Sequence, residues 1–378
     1  MGAVSWANMT RRDLALRVGA AATAIPVLTE ALLAQRAAVP GVVPAGTVFL
    51  NANENPEGPP QEAIEAMIKV LPSSGRYHYQ EYREFYATVA RSEGMEPDQL
   101  LIGSGSSEVL QAAVHAFTSS TRPMVQLYPT YESVAAVVEA LDRKVVRVPL
   151  TASYTADVKA LVEAAARERA GFIYLCNPNN PTSTVTPKKD IEWVVSNLPG
   201  DTVLVLDEAY LHFSETPEME SAFKYIKAGK NVVVTRSYSK IWGMAGLRAG
   251  AAYGRPDLMK RMEPFRNNVI SIVAVRALLG GLAAADRILP ERRTRYNGIR
   301  RGVCQWLAAK GVKYIEPHAN FMMIDMGRDA RPLLPKMISL GVAPGRHFPP
   351  MTDFMRVSIG TAPEMEKFRT VFWEVYNS

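Results

Sequence analysis

The stretch TRSYSKIWGMAGLRAG, Thr235–Gly250, follows the apolar run Val232, Val233 and Val234. Three β-branched residues in a row read as a strand buried on both faces, yet this one leads into Ser237, Ser239 and Lys240, with Arg248 one loop further on. A cation at the mouth of a buried strand costs desolvation energy, so it is exposed, paired or retained for chemistry. Lysine has a particular use there. Desolvation or a neighbouring cation lowers its pKa, and the free amine then condenses with a carbonyl. Taken alone, the stretch reads as a solvated loop lysine, and the rest of the chain has to reverse that reading.

Working outward, from Leu100 to about Gly254 short β-rich apolar runs alternate with helical segments: Met124 to Tyr128, Phe172 to Cys176, Val203 to Leu206 and Val232 to Thr235. That alternation predicts an α/β fold, a large domain with a mostly parallel sheet covered by helices. Ligands of such sheets sit beyond the strand ends. Those ends carry Tyr128-Pro129, Asn177 to Asn180, Asp207, and Ser237 to Lys240. Upstream, helical patterning covers Gln61 to Val70 and Tyr82 to Arg91, with the polar, aromatic SSGRYHYQEY between them as a loop. The last third changes rhythm. Arg292–Gly311 reads as a helix, short strands follow near Phe321 to Met326 and Met355 to Ile359, and Met365, Phe368, Phe372 and Val375 share one helix face. A smaller α+β domain is expected. The predicted division is a leader at 1–40, an arm at 41–75 contributing to the small domain, a large domain at 76–283 and the small domain at 284–378.

Composition excludes several classes. With 48% hydrophobic and 21% charged residues, the 378-residue chain is an ordinary globular one. The net charge of +6 comes from scattered Lys and Arg without a basic block interleaved with aromatics, so nucleic acid is not an expected partner. Cys176 and Cys304 stand far apart, and His78, His212, His318 and His347 show no ligand spacing, so no metal site is expected. Arg11 and Arg12 precede a weakly apolar, Ala-rich segment, the layout of a twin-arginine export signal, which predicts a periplasmic location. No segment reads as a stable membrane span.

Four strand ends can converge on one ligand. VLVLDEAY ends a buried strand in Asp207, with Tyr210 just beyond; CNPNNPTS supplies Asn180; Lys240 follows the next strand. A buried carboxylate needs a cationic partner, and a pyridinium nitrogen is one. An amide and a phenol can hold a phenolate oxygen, while lysine supplies the imine. Pyridoxal 5'-phosphate has all these features. Its phosphate needs a cradle, and LIGSGSSEVL offers Gly103, Gly105, Ser106 and Ser107 at a predicted helix N-terminus, with Arg248, Ser237 and Ser239 to complete it. The rival reading, a dinucleotide fingerprint, lacks its third glycine.

The ordered set Y-P-T-Y (Tyr128–Tyr131), N-x-N-N-P-T (Asn177–Thr182), D-E-A-Y (Asp207–Tyr210), S-x-S-K (Ser237–Lys240), G-L-R (Gly246–Arg248) and R-x-S-I-G-T (Arg356–Thr361) resembles the aspartate-aminotransferase superfamily of pyridoxal-phosphate enzymes. Within class I and II, the chain is most similar to the histidinol-phosphate aminotransferases, from about Phe49 to the C-terminus. The resemblance implies fold type I and a homodimer. It implies Lys240 as the lysine joined to the cofactor aldehyde, Asp207 on the ring nitrogen, Asn180 and Tyr210 at the ring 3'-oxygen, and Tyr131 stacked on the ring. Ser106, Ser107, Ser237, Ser239 and Arg248 would hold the phosphate, and Tyr77 would reach the neighbouring subunit's cofactor. Arg356 would receive the substrate carboxylate or phosphate, with Arg346 as an auxiliary anion ligand. The implied activity moves an amino group from an anionic amino acid or amine to a 2-oxo acid. The same constellation also serves decarboxylases, lyases, oxygen-dependent oxidases and non-catalytic cofactor binders. Two positions depart from the family pattern. Ser183 stands where N-P-T-G is common, and the phosphate loop reads Ser106-Ser107-Glu108 where an acidic residue often precedes the glutamate. Asn53 and Glu54 are expected to shape the entrance.

Overall fold

The computed structural model describes residues 43–267 and 269–378; the leader expected at 1–40 lies outside the described residues. In chain order the strands are β1 (Val48–Leu50), β2 (Leu100–Gly103), β3 (Met124–Tyr128), β4 (Val145–Pro149), β5 (Phe172–Cys176), β6 (Val203–Asp207), β7 (Val232–Ser237), β8 (Gly250–Gly254), β9 (Phe321–Asp325), β10 (Val342–Pro344) and β11 (Phe354–Ser358). The main sheet has seven strands in the order β2-β8-β7-β6-β5-β3-β4. It is parallel except for β8, which runs antiparallel to both of its neighbours. Strands β5, β6 and β7 are buried along their whole length, which is why their sequences are unbroken apolar runs rather than alternating ones. Helices cover the sheet, among them Ser106–Phe117 and Val158–Glu168. The fold is thus the mostly parallel α/β architecture expected.

Three strands of this sheet were not among the apolar runs. β8 reads GAAYG, and small residues carry little hydrophobic signal. Their smallness is a packing requirement: a Cβ on Gly250 would lie 2.1 Å from the Ser106 nitrogen, so only glycine lets the helix N-terminus approach the strand. β2 (LLIG) is short, and edge strand β4 is half exposed, which breaks its apolar run with Arg147.

Two small sheets complete the chain. β1 pairs parallel with β10, Val48 opposite Val342, and β11 pairs antiparallel with β9, Arg356 opposite Met323. The closing helix Ala362–Tyr376 buries Met365, Phe368, Phe372 and Val375, the face anticipated. The helix expected at Arg292–Gly311 begins earlier, at Ala285, and runs through Pro290. The helix expected from Tyr82 starts at Tyr79 and shortens the predicted loop; His78 (φ 56°) turns the chain into it, with ring nitrogens 2.9 Å from Glu81 Oε1 and from the Ser73 carbonyl. Contacts to Glu81 and to that carbonyl raise the pKa of His78, the backbone carbonyl contributing most.

Behind the strand ends lies a buried ion pair. Arg236 on β7 donates to Glu208, which follows β6, and to Ser221; both charged side chains are buried. Glu208 also accepts from the Ala222 N–H at 2.8 Å. Removing one partner leaves the other charge buried and uncompensated, which costs about 3–5 kcal/mol, whereas removing both costs far less. Arg236→Met is therefore expected to lower unfolding free energy in urea by about that amount. Adding Glu208→Gln should recover most of it, and a double variant no more stable than the single one would contradict the pairing.

Candidate active site

Asp207 closes β6 with its carboxylate buried. Oδ2 accepts from Tyr174 Oη at 2.9 Å, and Oδ1 from Thr235 Oγ1 at 3.0 Å and the Ala209 N–H at 3.3 Å. Register makes this possible: Asp207 faces Cys176 on one side and Thr235 on the other. All three donors are neutral. Burial pushes the Asp207 pKa up, and those hydrogen bonds with the nearby Lys240 charge oppose it. The same burial, beside the carboxylate, holds Tyr174 well above the ordinary phenol range.

Lys240 follows β7 and is buried. Its Nζ donates to the carbonyls of Asn53 at 3.1 Å and Ala52 at 3.3 Å, and lies 5.5 Å from the centroid of the Tyr210 ring. Asn53 ties the site together. Its Nδ2 donates to Tyr210 Oη at 3.2 Å, its backbone N–H donates to Ser358 Oγ at 2.9 Å, and Asn320 Nδ2 donates to its carbonyl at 3.1 Å. The loop after β1 is thereby pinned to β11 and to the turn before β9.

The anion cradle forms where the helix Ser106–Phe117 begins. Arg248 Nη2 donates to Ser107 Oγ at 3.3 Å, and Nη1 to Ser239 Oγ at 3.4 Å and to the Ala245 carbonyl at 3.1 Å. The Ser239 N–H donates to Ser237 Oγ at 3.3 Å. Gly105 (φ 86°) leads into the helix, and a Cβ there would sit 2.1 Å from Arg248 Nη2. Glu108 is buried and accepts from the Ser104 and Asn267 N–H groups, which bind the loop from below. Ser106, Ser107, Tyr131, Ser237, Ser239, Lys240 and Arg248 line one cavity of about 330 Å³, with Ala52 and Glu54 at its wall.

A second zone is built around Arg356. Arg356 Nη1 donates to Asn180 Oδ1 at 2.9 Å and Nη2 to the Asn51 carbonyl at 2.6 Å. The Arg356 guanidinium lies 4.5 Å from the Phe348 ring centroid, and that of Arg346 lies 4.0 Å from the same centroid. Arg346 grips Glu132, Nη2 to Oε2 at 2.5 Å and Nη1 to Oε1 at 3.4 Å. Tyr77 is not brought into this cavity; it stacks on Tyr79 at 5.1 Å, and both are about two-thirds exposed, 68% and 65%. Among the described residues, no group of three or more His, Cys, Asp and Glu is placed to hold a metal ion.

The profile of the family "Aminotransferase class I and II" matches residues 46–372. The chain belongs to this family. A histidinol-phosphate aminotransferase of Symbiobacterium thermophilum is 34% identical over 330 residues, 85% of this chain and 88% of that protein. An aromatic amino acid aminotransferase of Cutibacterium acnes is 32% identical over 299 residues, 78% of this chain and 84% of that protein. The crystal structure of a Sinorhizobium meliloti histidinol-phosphate aminotransferase in complex with pyridoxal-5'-phosphate superimposes with a TM-score of 0.84, covering 99% of each chain. At 24% identity, that likeness is one of fold.

As an aminotransferase site, this one contains residues that sequence reasoning passed over. Tyr174 and Thr235 sit inside apolar runs, where they read as strand filler, and only the register brings them to Asp207. Ser358 and Asn320 bond to a loop roughly 300 residues away in sequence. Ser183, the departure from N-P-T-G, keeps the left-handed backbone (φ 63°) that favours glycine. Its Oγ accepts from the N–H groups of Ala319 at 2.8 Å and His318 at 3.0 Å. His318 retains a second acceptor in the Ser183 carbonyl, so the hydroxyl matters chiefly to Ala319. Ser183→Ala keeps the strained backbone and orphans a buried N–H, at about 1–3 kcal/mol. Ser183→Gly loses the same bond but recovers about 1 kcal/mol or more of backbone strain. Urea unfolding should therefore rank wild type above Ser183→Gly and Ser183→Gly above Ser183→Ala. A reversed order of the two variants would show that the backbone is unstrained.

Proposed function

We propose that the protein uses pyridoxal 5'-phosphate to move an amino group from an amino acid or amine bearing an anionic group to a 2-oxo acid, in the manner of the histidinol-phosphate aminotransferases it resembles. The observation that carries the reading is Asp207: a buried carboxylate whose bonded donors are all neutral, beside a buried lysine and an anion cradle. The residues fit the cofactor. Asp207 would face the ring nitrogen, Asn180 and Tyr210 the 3'-oxygen, and Tyr131 the ring. Ser106, Ser107, Ser237, Ser239 and Arg248 would hold the phosphate at the helix N-terminus.

When bound, the cofactor supplies an aldehyde for the donor amine and a sink for the electron pair left at Cα. The chain's own contribution is positional and electrostatic. Lys240 Nζ, as a free amine, would be the base that takes the proton from the donor Cα. Asp207 would present its carboxylate to a protonated ring nitrogen. Arg356 takes the donor's anionic group and, through Asn180, is linked to the group at the 3'-oxygen. The carbonyls of Ala52 and Asn53 hold Lys240 Nζ at the cavity wall.

The holoenzyme mixed with one amino donor and no acceptor tests this. Loss of the yellow cofactor absorbance with stoichiometric 2-oxo acid and no oxygen uptake is expected, and Lys240→Ala should abolish it. Carbon dioxide release, an eliminated fragment, oxygen uptake, or turnover surviving Lys240→Ala would move the protein to another reaction of this cofactor. No spectral change with any donor would leave a cofactor-binding protein without turnover.

The same reading includes a homodimer and export. Tyr77 stacks on the exposed Tyr79 and lies in a stretch of chain where Ile68 and Leu71 are also exposed, and these side chains would form one face. A second copy covering that face would bring Tyr77 to the neighbour's phosphate. Sedimentation should give twice 41.6 kDa for the wild type, and Tyr77→Asp with Leu71→Asp should shift it towards monomer; a monomeric wild type contradicts the proposal. Residues 1–40 carry the paired Arg11 and Arg12 of an export signal. Fused to a reporter, they should deliver it to the periplasm, and Arg11→Lys with Arg12→Lys should retain it inside. Among the described residues, no helix is long and apolar enough to cross a membrane.

A further inference from the structure

Two arginines share the ring of Phe348, and they are held differently. Arg356 bonds to Asn180 and to the Asn51 carbonyl. Arg346 presents both ends of its guanidinium fork to Glu132, the residue directly after Tyr131 in the cavity wall. The remaining contacts of Arg346 fix its position: Nη1 also donates to the His347 carbonyl at 3.1 Å, and the plane lies over Phe348. A bidentate carboxylate occupies the same donors that a second carboxylate on a substrate would need. The pair is net neutral, and neither partner is sealed in: the side chains are 11% and 36% exposed.

We infer that Glu132 sets donor selectivity by occupying Arg346. The site then accepts donors with a single anionic group, taken by Arg356, and a neutral or aromatic remainder; a second anion at the far end must displace Glu132 to be bound. A dicarboxylic donor therefore meets an arginine whose Nη1 and Nη2 are already taken and an added like charge from Glu132, and specificity arises from that repulsion as much as from attraction. Glu132 is a positioning residue for Arg346 and takes no part in proton transfer. This inference rests on the proposed role of Arg356 as the anion receptor. The rival account is a strap: Glu132 heads the helix Ser133–Ala140, and Arg346 follows β10, so the pair could serve only to hold the two regions together.

The test uses two unreactive acids, the dicarboxylate succinate and the monocarboxylate 3-phenylpropanoate, titrated into the holoenzyme while the cofactor absorbance is followed. Wild type should prefer 3-phenylpropanoate. Glu132→Gln should move the ratio of the two dissociation constants towards succinate by about tenfold or more, since a charge pair across a binding site is worth that much. Adding Arg346→Met should return the ratio to within about twofold of wild type. A ratio unmoved by Glu132→Gln, equal weakening of both acids, or a gain that survives Arg346→Met overturns the inference. Failure of the underlying reading looks different. If both acids bind but no donor transfers its amino group, the proposed reaction falls while the ratio still decides the role of Glu132.

Discussion

A buried carboxylate whose hydrogen-bond donors among the described residues are all neutral is the constraint on which the rest of this structure depends. Asp207 is placed by the most apolar part of the fold, where β5, β6 and β7 are buried along their length and desolvation is greatest. Three neutral donors, one each from β5 and β7 and one from the turn that follows β6, satisfy its lone pairs without supplying charge. An isolated buried anion is expensive, and hydrogen bonds recover only part of that cost. The neighbouring ion pair shows the alternative. One residue further along, Glu208 meets Arg236 and is neutralised within the fold. Two adjacent acids at one strand end thus have opposite arrangements: Glu208 is paired with an arginine, and Asp207 is met by neutral donors, as its proposed role towards a cationic ring nitrogen requires.

The second determinant is the way distant segments are closed over that carboxylate. Asn53, in a loop of the N-terminal arm, touches Lys240, Tyr210, Ser358 and Asn320, residues that belong to four separate parts of the chain. Ser183 reaches across from the loop after β5 to the backbone at His318 and Ala319. Arg346 and Glu132 span a third seam. Each crossing links the edge of the main sheet to the small sheets around β9, β10 and β11. Position of the catalytic groups therefore depends on long-range polar contacts, whereas the scaffold beneath them depends on apolar burial.

Sequence and structure divide along the same line. Strands buried on both faces announce themselves by composition, so β3, β5, β6 and β7 were legible to within about two residues, as were the polar residues at their ends. The Gly-Ala strand β8 was not, because its role is to allow close approach and it has little hydrophobic signal. Lys240, Asp207, Asn180, Tyr210 and the serine cradle were expected together because their types suit one cofactor and their order suits one family, and the fold brings Lys240 and the serines to one cavity. Tyr174 and Thr235 were hidden within apolar runs, and Ser358 and Asn320 act on a loop far away in sequence, so their roles exist only in the fold. Ser183 was visible as a departure, but its meaning required the left-handed backbone and the two N–H groups it accepts from.

The central claim is that Asp207 is kept as an anion for a protonated ring nitrogen. Its most direct test is the ¹⁵N NMR shift of ring-labelled pyridoxal 5'-phosphate bound to the protein, recorded at a pH where the free cofactor's ring nitrogen is neutral. The account predicts a protonated nitrogen in the wild type and a neutral one in Asp207→Ala that still binds the cofactor. A neutral nitrogen in the wild type, or a protonated one in both proteins, would contradict it.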